Sequence, residues 1–366
     1  MDFQALFRPG ILKTRPYRPG KPVSEVQREL GLDRVVKLAS NENPEPPAPA
    51  VLAAIADAAR ELNRYPDGAA YALTHALAEK HGVAPEAVLL GNGSNEVIDM
   101  LIRALVSPGE NVVFGWPSFI VYPLTCGIHF ECGRPVPLTD DDRFDLPAMA
   151  DAVDDRTKLL IVCNPNNPTG TYNTTAELRR LLAEVPERVI VAVDEAYFEY
   201  VTADDYPDTA RWLDAHPNLV VCRTFSKIHS LAGLRVGYGL GHPDLIRELQ
   251  KTREPFNVNS LAQAAALAVL ADPEETAARA RRNAARREQL AAGLRALGLE
   301  VVPSQTNFLL VRCPGSADAL ADALLRRGVI VRPMHQFGLG DGALRISVGL
   351  EEENAACLAA LGEILA

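Results

Sequence analysis

Several features that would mark whole classes of protein are missing from this chain. No run of about eighteen apolar residues exists, the length a membrane-crossing helix needs. No CxxC pair exists: six cysteines stand apart at 126, 132, 163, 222, 313 and 357. That spacing speaks against a disulfide framework or a metal site and suits small core residues in a reducing compartment. Positive charge is not in excess. The net charge is −10 and the pI about 5.3, so no nucleic-acid partner is expected on charge grounds. The opening residues Met1-Asp-Phe-Gln-Ala5 lack a basic segment followed by an apolar one, so a secretory signal is not expected and a cytoplasmic location is. No internal repeat or low-complexity linker interrupts the chain.

What is present is ordinary globular material: 366 residues, 48% hydrophobic and 23% charged, enough for a large core and two domains. Apolar runs at 87–90, 111–114, 158–163, 188–193, 218–222 and 236–240 read as strands, and helical patterns separate many of them. This alternation predicts an α/β fold with a mainly parallel sheet between helices. After residue 243 helices dominate. Strands at 307–312, 329–332 and 343–348 then interleave with helices at 316–327 and 350–365, which predicts a smaller α+β domain. The expected division is a large domain over 41–255, with 1–40 and 256–366 forming the small domain and an N-terminal arm. A short helix over 23–30 has Ser24 as its expected cap. The basic cluster at 279–287 is expected to be a solvated helix face.

Polar residues gather where the predicted strands end. After Asn218–Cys222 come Thr224, Ser226 and Lys227, and eight residues on comes Arg235. An amine and a guanidinium close together, with hydroxyls between them, suit an aldehyde cofactor that carries a phosphate: the lysine forms an imine and the others bind the dianion. Asn164-Pro-Asn-Asn-Pro-Thr-Gly170 follows the strand 158–163 and sets amides where open α/β sheets bind ligands. Asp194 follows five apolar residues and needs a partner. Gly91-Asn-Gly-Ser-Asn-Glu96 lies between a strand and a helix, a phosphate-binding design in which free N–H groups face the loop.

Together these marks resemble the fold-type I pyridoxal-phosphate (PLP) aminotransferases. They are Asn167-Pro-Thr-Gly170, Asp194-Glu-Ala-Tyr197, and Ser226-Lys227 with Arg235, each after its own strand. Further segments narrow the likeness. Ser40-Asn-Glu-Asn-Pro44, Arg64-Tyr-Pro-Asp67, Thr224-Phe-Ser-Lys227, Leu231-Ala-Gly-Leu-Arg-Val-Gly237 and Pro255-Phe-Asn-Val-Asn259 look like the histidinol-phosphate aminotransferases. That resemblance runs from about Arg15 to the C-terminus. It implies a large domain with a seven-stranded type of sheet and a transaminase of histidine biosynthesis. Its small-molecule substrates would be histidinol phosphate and glutamate or 2-oxoglutarate.

The resemblance also implies roles. Lys227 binds PLP covalently and then moves the proton at the substrate Cα. Asp194 pairs with the pyridine nitrogen. Asn167 and Tyr197 hydrogen-bond the phenolic oxygen. Ser94, Asn95, Thr224, Ser226 and Arg235 hold the phosphate, and Phe119 covers the ring. Tyr65 reaches the neighbouring subunit's cofactor, so a homodimer is expected. Arg345 and Arg332 clamp the substrate's anions, with Tyr17 and Asn41 as further substrate contacts. One departure stands beside Lys227: Ile228-His229-Ser230 replaces the Ala, aromatic and Gly of many relatives, and His229 is read as local packing. An aromatic amino-acid aminotransferase or a PLP-dependent amino-acid-phosphate decarboxylase would share the cofactor residues. A PLP-sensing regulator would need a fused DNA-binding segment and is disfavoured by the acidic chain.

Overall fold

The computed structural model describes residues 1–14, 16 and 20–366. Tyr17 therefore lies outside the described residues. In chain order the strands are β1 (Val36–Lys37), β2 (Val88–Gly91), β3 (Asn111–Trp116), β4 (Gly133–Pro137), β5 (Thr157–Cys163), β6 (Ile190–Asp194), β7 (Leu219–Thr224), β8 (Gly237–Gly241), β9 (Glu300–Val301), β10 (Phe308–Arg312), β11 (Val329–Ile330), β12 (Arg332–Pro333) and β13 (Ala343–Ser347).

Seven of them form one sheet in the order β2-β8-β7-β6-β5-β3-β4. Only β8 runs against its neighbours; the other pairings are parallel. The centre is buried on both faces, with Leu159–Val162, Val191–Val193 and Leu219–Cys222 at 1% exposure or less. That is why these strands read as unbroken apolar runs. The expected strands at 87–90, 111–114, 158–163, 188–193, 218–222 and 236–240 are all present within two residues at either end. β4 had no counterpart in the sequence reading. As an edge strand it carries two prolines and one buried residue, so no burial pattern marks it.

A second, antiparallel sheet runs β12-β13-β10-β9, and β1 pairs in parallel with β11. Residues 36–38 thus join the C-terminal third: Val36 donates to Gly328 O, Leu38 to Ile330 O, and Ser347 N–H back to Leu38 O. A separate core of Val36, Leu38, Leu290, Leu294, Leu309, Leu344 and Ile346 forms beneath this sheet. The helix Ser260–Leu270, beyond the expected division at 255, packs its Ala262, Ala265 and Ala266 in the core of the large sheet.

Three local expectations are corrected. The helix Val23–Leu30 begins after Pro22, with Ser24 inside it rather than capping it; the fixed φ of Pro22 serves the entry instead. The helix after β2 starts at Ser94, not Val97. The basic cluster is not a solvated face. On the helix Pro273–Ala296, Arg279, Asn283 and Arg287 fall four apart and are 7%, 7% and 3% exposed. They meet backbone carbonyls: Asn283 and Arg287 both donate to Thr306 O, and Arg279 donates to Pro46 O. Arg282 and Arg286 pair with Glu45. Loop carbonyls and the carboxylates of Glu45 and Glu275 take most of these donors, so the face can be buried.

Candidate active site

Strands β5, β6 and β7 end at one place. The chain leaves β5 into Asn164–Gly170, β6 into Asp194–Tyr197 and β7 into Ser226–Lys227. A cavity of about 120 Å³ opens there, and ten residues selected from the sequence line it. Ser94, Asn95, Thr224, Ser226 and Arg235 are at one end; Phe119, Asn167, Asp194, Tyr197 and Lys227 make up the rest. A groove of about 1120 Å³ lies elsewhere, lined by Lys13, Trp116, Arg332 and Phe337 among others, and holds none of these ten. Size does not locate the chemistry here; the convergence of strand ends does.

Asp194 is 2% exposed. Its Oδ2 accepts a hydrogen bond from Tyr122 Oη at 2.6 Å, while Oδ1 has no partner among the described residues. Burial pushes its carboxyl pKa up; the Tyr122 hydroxyl, the Ala196 N–H and the charge of Lys227 pull it down. A buried carboxylate with one oxygen held and one open fits a cationic N–H donor such as a protonated pyridine ring. The residue after it is neutralised separately. Glu195 takes Arg223 at 2.8 Å and Thr209 Oγ1 at 2.7 Å, so Arg223 is committed there and leaves Asp194 to the cavity.

Lys227 keeps some surface because the cavity opens on it, yet protein surrounds it on the scale over which its charge is felt. Burial first, then the positive Arg345 and Arg235, lower its pKa to about 8; Glu42 and Asp194 oppose this. Its Nζ lies 5.4 Å from the centre of the Tyr197 ring. A lysine poised near neutrality can act as both nucleophile and base.

The other end of the cavity is an anion cradle. Gly93 precedes the helix Ser94–Leu105 at φ 80° and no side chain caps that helix, so its first N–H groups remain available. A Cβ on Gly93 would come within 2.8 Å of Arg235 Nη2, and one on Gly237 within 2.4 Å of Ser94 N. Only hydrogens at these positions let Arg235 and β8 close on the helix start. Thr224 Oγ1 donates to Ser226 Oγ at 3.1 Å and accepts from Ser226 N–H. Arg235 itself is left-handed at φ 58°. Two hydroxyls, a guanidinium and a free helix end suit a phosphate dianion. The residues present fit PLP at both ends.

Phe119 stands edge-on to Tyr122, centroids 5.7 Å apart. Arg345 donates from Nη1 to Asn167 Oδ1 at 2.6 Å and from Nη2 to Ala39 O at 2.9 Å. Arg332 faces Arg345 across the β12–β13 ladder, but its side chain turns toward the Phe337 ring and the larger groove. Asn41 is placed behind the cavity rather than in it. It is 1% exposed, donates from Nδ2 to Tyr197 Oη at 2.9 Å and accepts at Oδ1 from Ser347. Tyr65 is 81% exposed, stacked on Phe256 and away from this chain's own cavity. His229 is buried against Phe225 and faces Glu199 at 3.8 Å.

Sequence reasoning missed Tyr122, Cys163 and Ala196. Tyr122 had a usable signal, because Phe119 and Tyr122 are three apart after a strand, the spacing of one helical face. Burial of a phenol beside Asp194 raises its own pKa well above the ordinary value and keeps it a donor.

The chain belongs to the aminotransferase class I and II family, whose model matches residues 33–361. Within that class its likeness is to the histidinol-phosphate aminotransferases. Histidinol-phosphate aminotransferase 2 of Pseudomonas fluorescens is 49% identical over all of this chain and 99% of its own. The enzyme of that name from an Anaeromyxobacter species is 47% identical over 98% and 99%. The crystal structure of the Sinorhizobium meliloti histidinol-phosphate aminotransferase in complex with pyridoxal-5'-phosphate matches with a TM-score of 0.88 at 30% identity, covering 98% of this chain and 97% of that one.

Proposed function

We propose that the protein is a PLP-dependent transaminase that interconverts histidinol phosphate and 2-oxoglutarate with imidazole-acetol phosphate and glutamate, in histidine biosynthesis. Three strand ends and one helix start deliver an amine, a half-partnered buried carboxylate and an anion cradle to one cavity, and this convergence supports the assignment above all else. The full-length likeness to proteins of that name supports the choice of substrate.

Bound there, PLP supplies an aldehyde that captures amines and a protonated ring that draws electrons from Cα. Lys227 is the residue we assign to hold that aldehyde, and afterwards to take and return the proton at the substrate Cα. Asp194, with Tyr122 holding its other oxygen, keeps the ring nitrogen protonated. Asn167 and Tyr197 are assigned to the ring's phenolic oxygen. Ser94, Asn95, Thr224, Ser226 and Arg235 take the phosphate, and Phe119 packs on the ring face. Arg345 binds the substrate's carboxylate or phosphate through its planar fork, with Arg332 as a second cation for the phosphate. Asn41 orients Tyr197 rather than touching substrate.

A large body around the seven-stranded sheet and a smaller one from the two chain ends meet at this cavity in our reading. A cytoplasmic homodimer completes it. Tyr65, too exposed to serve its own chain, would reach the partner's phosphate.

The test is a half-reaction followed by absorbance, with cofactor converted from aldehyde to amine form. Histidinol phosphate should convert it at far lower concentration than phenylalanine, and threonine phosphate should release no CO2. Equal or better conversion by phenylalanine would mean an aromatic aminotransferase. Release of CO2 from threonine phosphate would mean a decarboxylase, an activity named for one protein that shares this scaffold with a TM-score of 0.80.

A further inference from the structure

Neither Ser230 nor Arg279 touches the cavity, yet both grip the turn that carries Lys227. Ser230 adopts φ 60°, a left-handed backbone that residues with a Cβ avoid. Its N–H donates to Lys227 O at 3.1 Å, closing the turn directly on the lysine. Its hydroxyl donates to Glu45 O at 2.8 Å and accepts from Arg279 Nη1 at 2.5 Å. A hydroxyl has one hydrogen to give, so the two bonds are complementary.

Arg279 is 7% exposed on the helix Pro273–Ala296. The same guanidinium donates to Ile228 O at 3.4 Å and to Pro46 O at 2.7 Å, and its Nε pairs with Glu275 at 2.8 Å. Asn43 Nδ2 also donates to Ile228 O, at 2.7 Å. The residue after the lysine, the turn that ends at Ser230 and the loop at 45–46 are therefore tied to one arginine from another element. Buried, satisfied networks of this kind hold a single geometry.

We propose that Ser230 and Arg279 form a lock that positions Lys227 in the cavity. The lock rests on the reading of Lys227 as the cofactor lysine. It acts through the backbone of residues 227–230, so both members are positioning residues. The groups that face the lysine amine are Arg345 and Arg235, which disfavour its charge, and Glu42 and Asp194, which favour it. Held in place, the amine feels burial and the two arginines. Released, it turns toward solvent and titrates like an ordinary lysine.

The experiment uses full-length apoprotein. Lys227 is acetylated with acetic anhydride across a pH series, and its labelling midpoint is read by peptide mass spectrometry. The wild-type midpoint should lie near 8. Ser230→Ala, which keeps the backbone strain and loses the hydroxyl, and Arg279→Met should each raise it by about one unit or more. Arg279→Lys should restore part of the shift. The Ser230→Ala, Arg279→Met double variant should shift it no further than either single change, because the two share one hydrogen bond. A merely destabilised but folded protein would leave the midpoint in place. Should Arg279→Met fail to fold, Ser230→Ala decides alone. Midpoints equal to wild type in the folded variants overturn the lock. Failure of the underlying reading shows separately: borohydride reduction of wild-type holoenzyme would then attach the cofactor to a residue other than Lys227.

Discussion

Arg345 on β13 donates from Nη1 to Asn167 Oδ1, 2.6 Å away at the end of β5. The contact joins the antiparallel sheet to the large one at the cavity itself. It turns the Asn167 oxygen toward the arginine, leaving the amide N–H2 as the donor to the cavity. In the proposed reading, two side chains that orient each other would take a ligand's anion and its ring oxygen. Arg345→Lys keeps the charge but loses the fork. Hydrogen bonds to charged groups are worth about 1.5–3 kcal/mol, so kcat/KM should fall by about 10- to 100-fold with both glutamate and histidinol phosphate. Unchanged values with either substrate would remove Arg345 from the clamp.

Tyr122→Phe deletes one hydroxyl from the core and leaves the ring. Asp194 then loses its only hydroxyl donor and burial drives its pKa further up. A carboxyl that protonates cannot hold a protonated ring nitrogen. PLP affinity of the apoprotein, measured by fluorescence titration, should fall by about 10- to 100-fold while the melting temperature changes little.

Lys227 titrates near 8 in the fold and near 10.4 when unfolded. Below pH 8 it is charged in both states, and the fold bears a burial cost of about 3 kcal/mol. Between pH 8 and 10.4 the unfolded chain keeps the proton the folded chain has lost, so this group's contribution to stability rises with pH. Lys227→Met should make the apoprotein more stable than wild type at pH 7 in chemical denaturation, with the gain shrinking as the pH approaches 10.4. The same variant should lose turnover by about 10³-fold or more.

Glu45 runs the opposite way. The hydrogen bond from Arg282 outweighs burial and, with Arg286, lowers its pKa from 4.5 to about 2. Its stabilisation is complete above the unfolded pKa and is lost as pH falls from 4.5 to 2. Glu45→Gln should cost roughly 2 kcal/mol at pH 7, after allowance for partial exposure. Acid denaturation curves of the two proteins should converge near pH 2.

The homodimer reading predicts a mass in sedimentation equilibrium near twice the 39.6 kDa of one chain. Tyr65→Ala should weaken PLP binding although its ring is distant from the chain's own cavity. A monomeric mass with unimpaired PLP binding in Tyr65→Ala would sink it.

Where burial is two-sided or chemistry is local, the linear order of residues was enough. The central strands show as apolar runs because both faces are covered. Gly298 stops the helix Pro273–Ala296 at φ 81°, with Leu299 N–H returning to Leu294 O, a signal contained in the six residues from Leu294 to Leu299. Lys227, Asp194 and Asn167 could be picked out because each lies at or just past the end of a strand, and parallel strands place their ends together; Arg235 instead precedes the antiparallel β8, whose first residue pairs with the last of β7. What only the tertiary structure decided are pairings between distant segments. Tyr122 finds Asp194 across 72 positions, Arg345 finds Asn167 across 178, and Arg279 finds Pro46 across 233. No local pattern encodes such contacts: an arginine four residues from another reads the same on a wet face as against buried carbonyls. Only the packing of one element on another settles which polar groups lose water and must find each other.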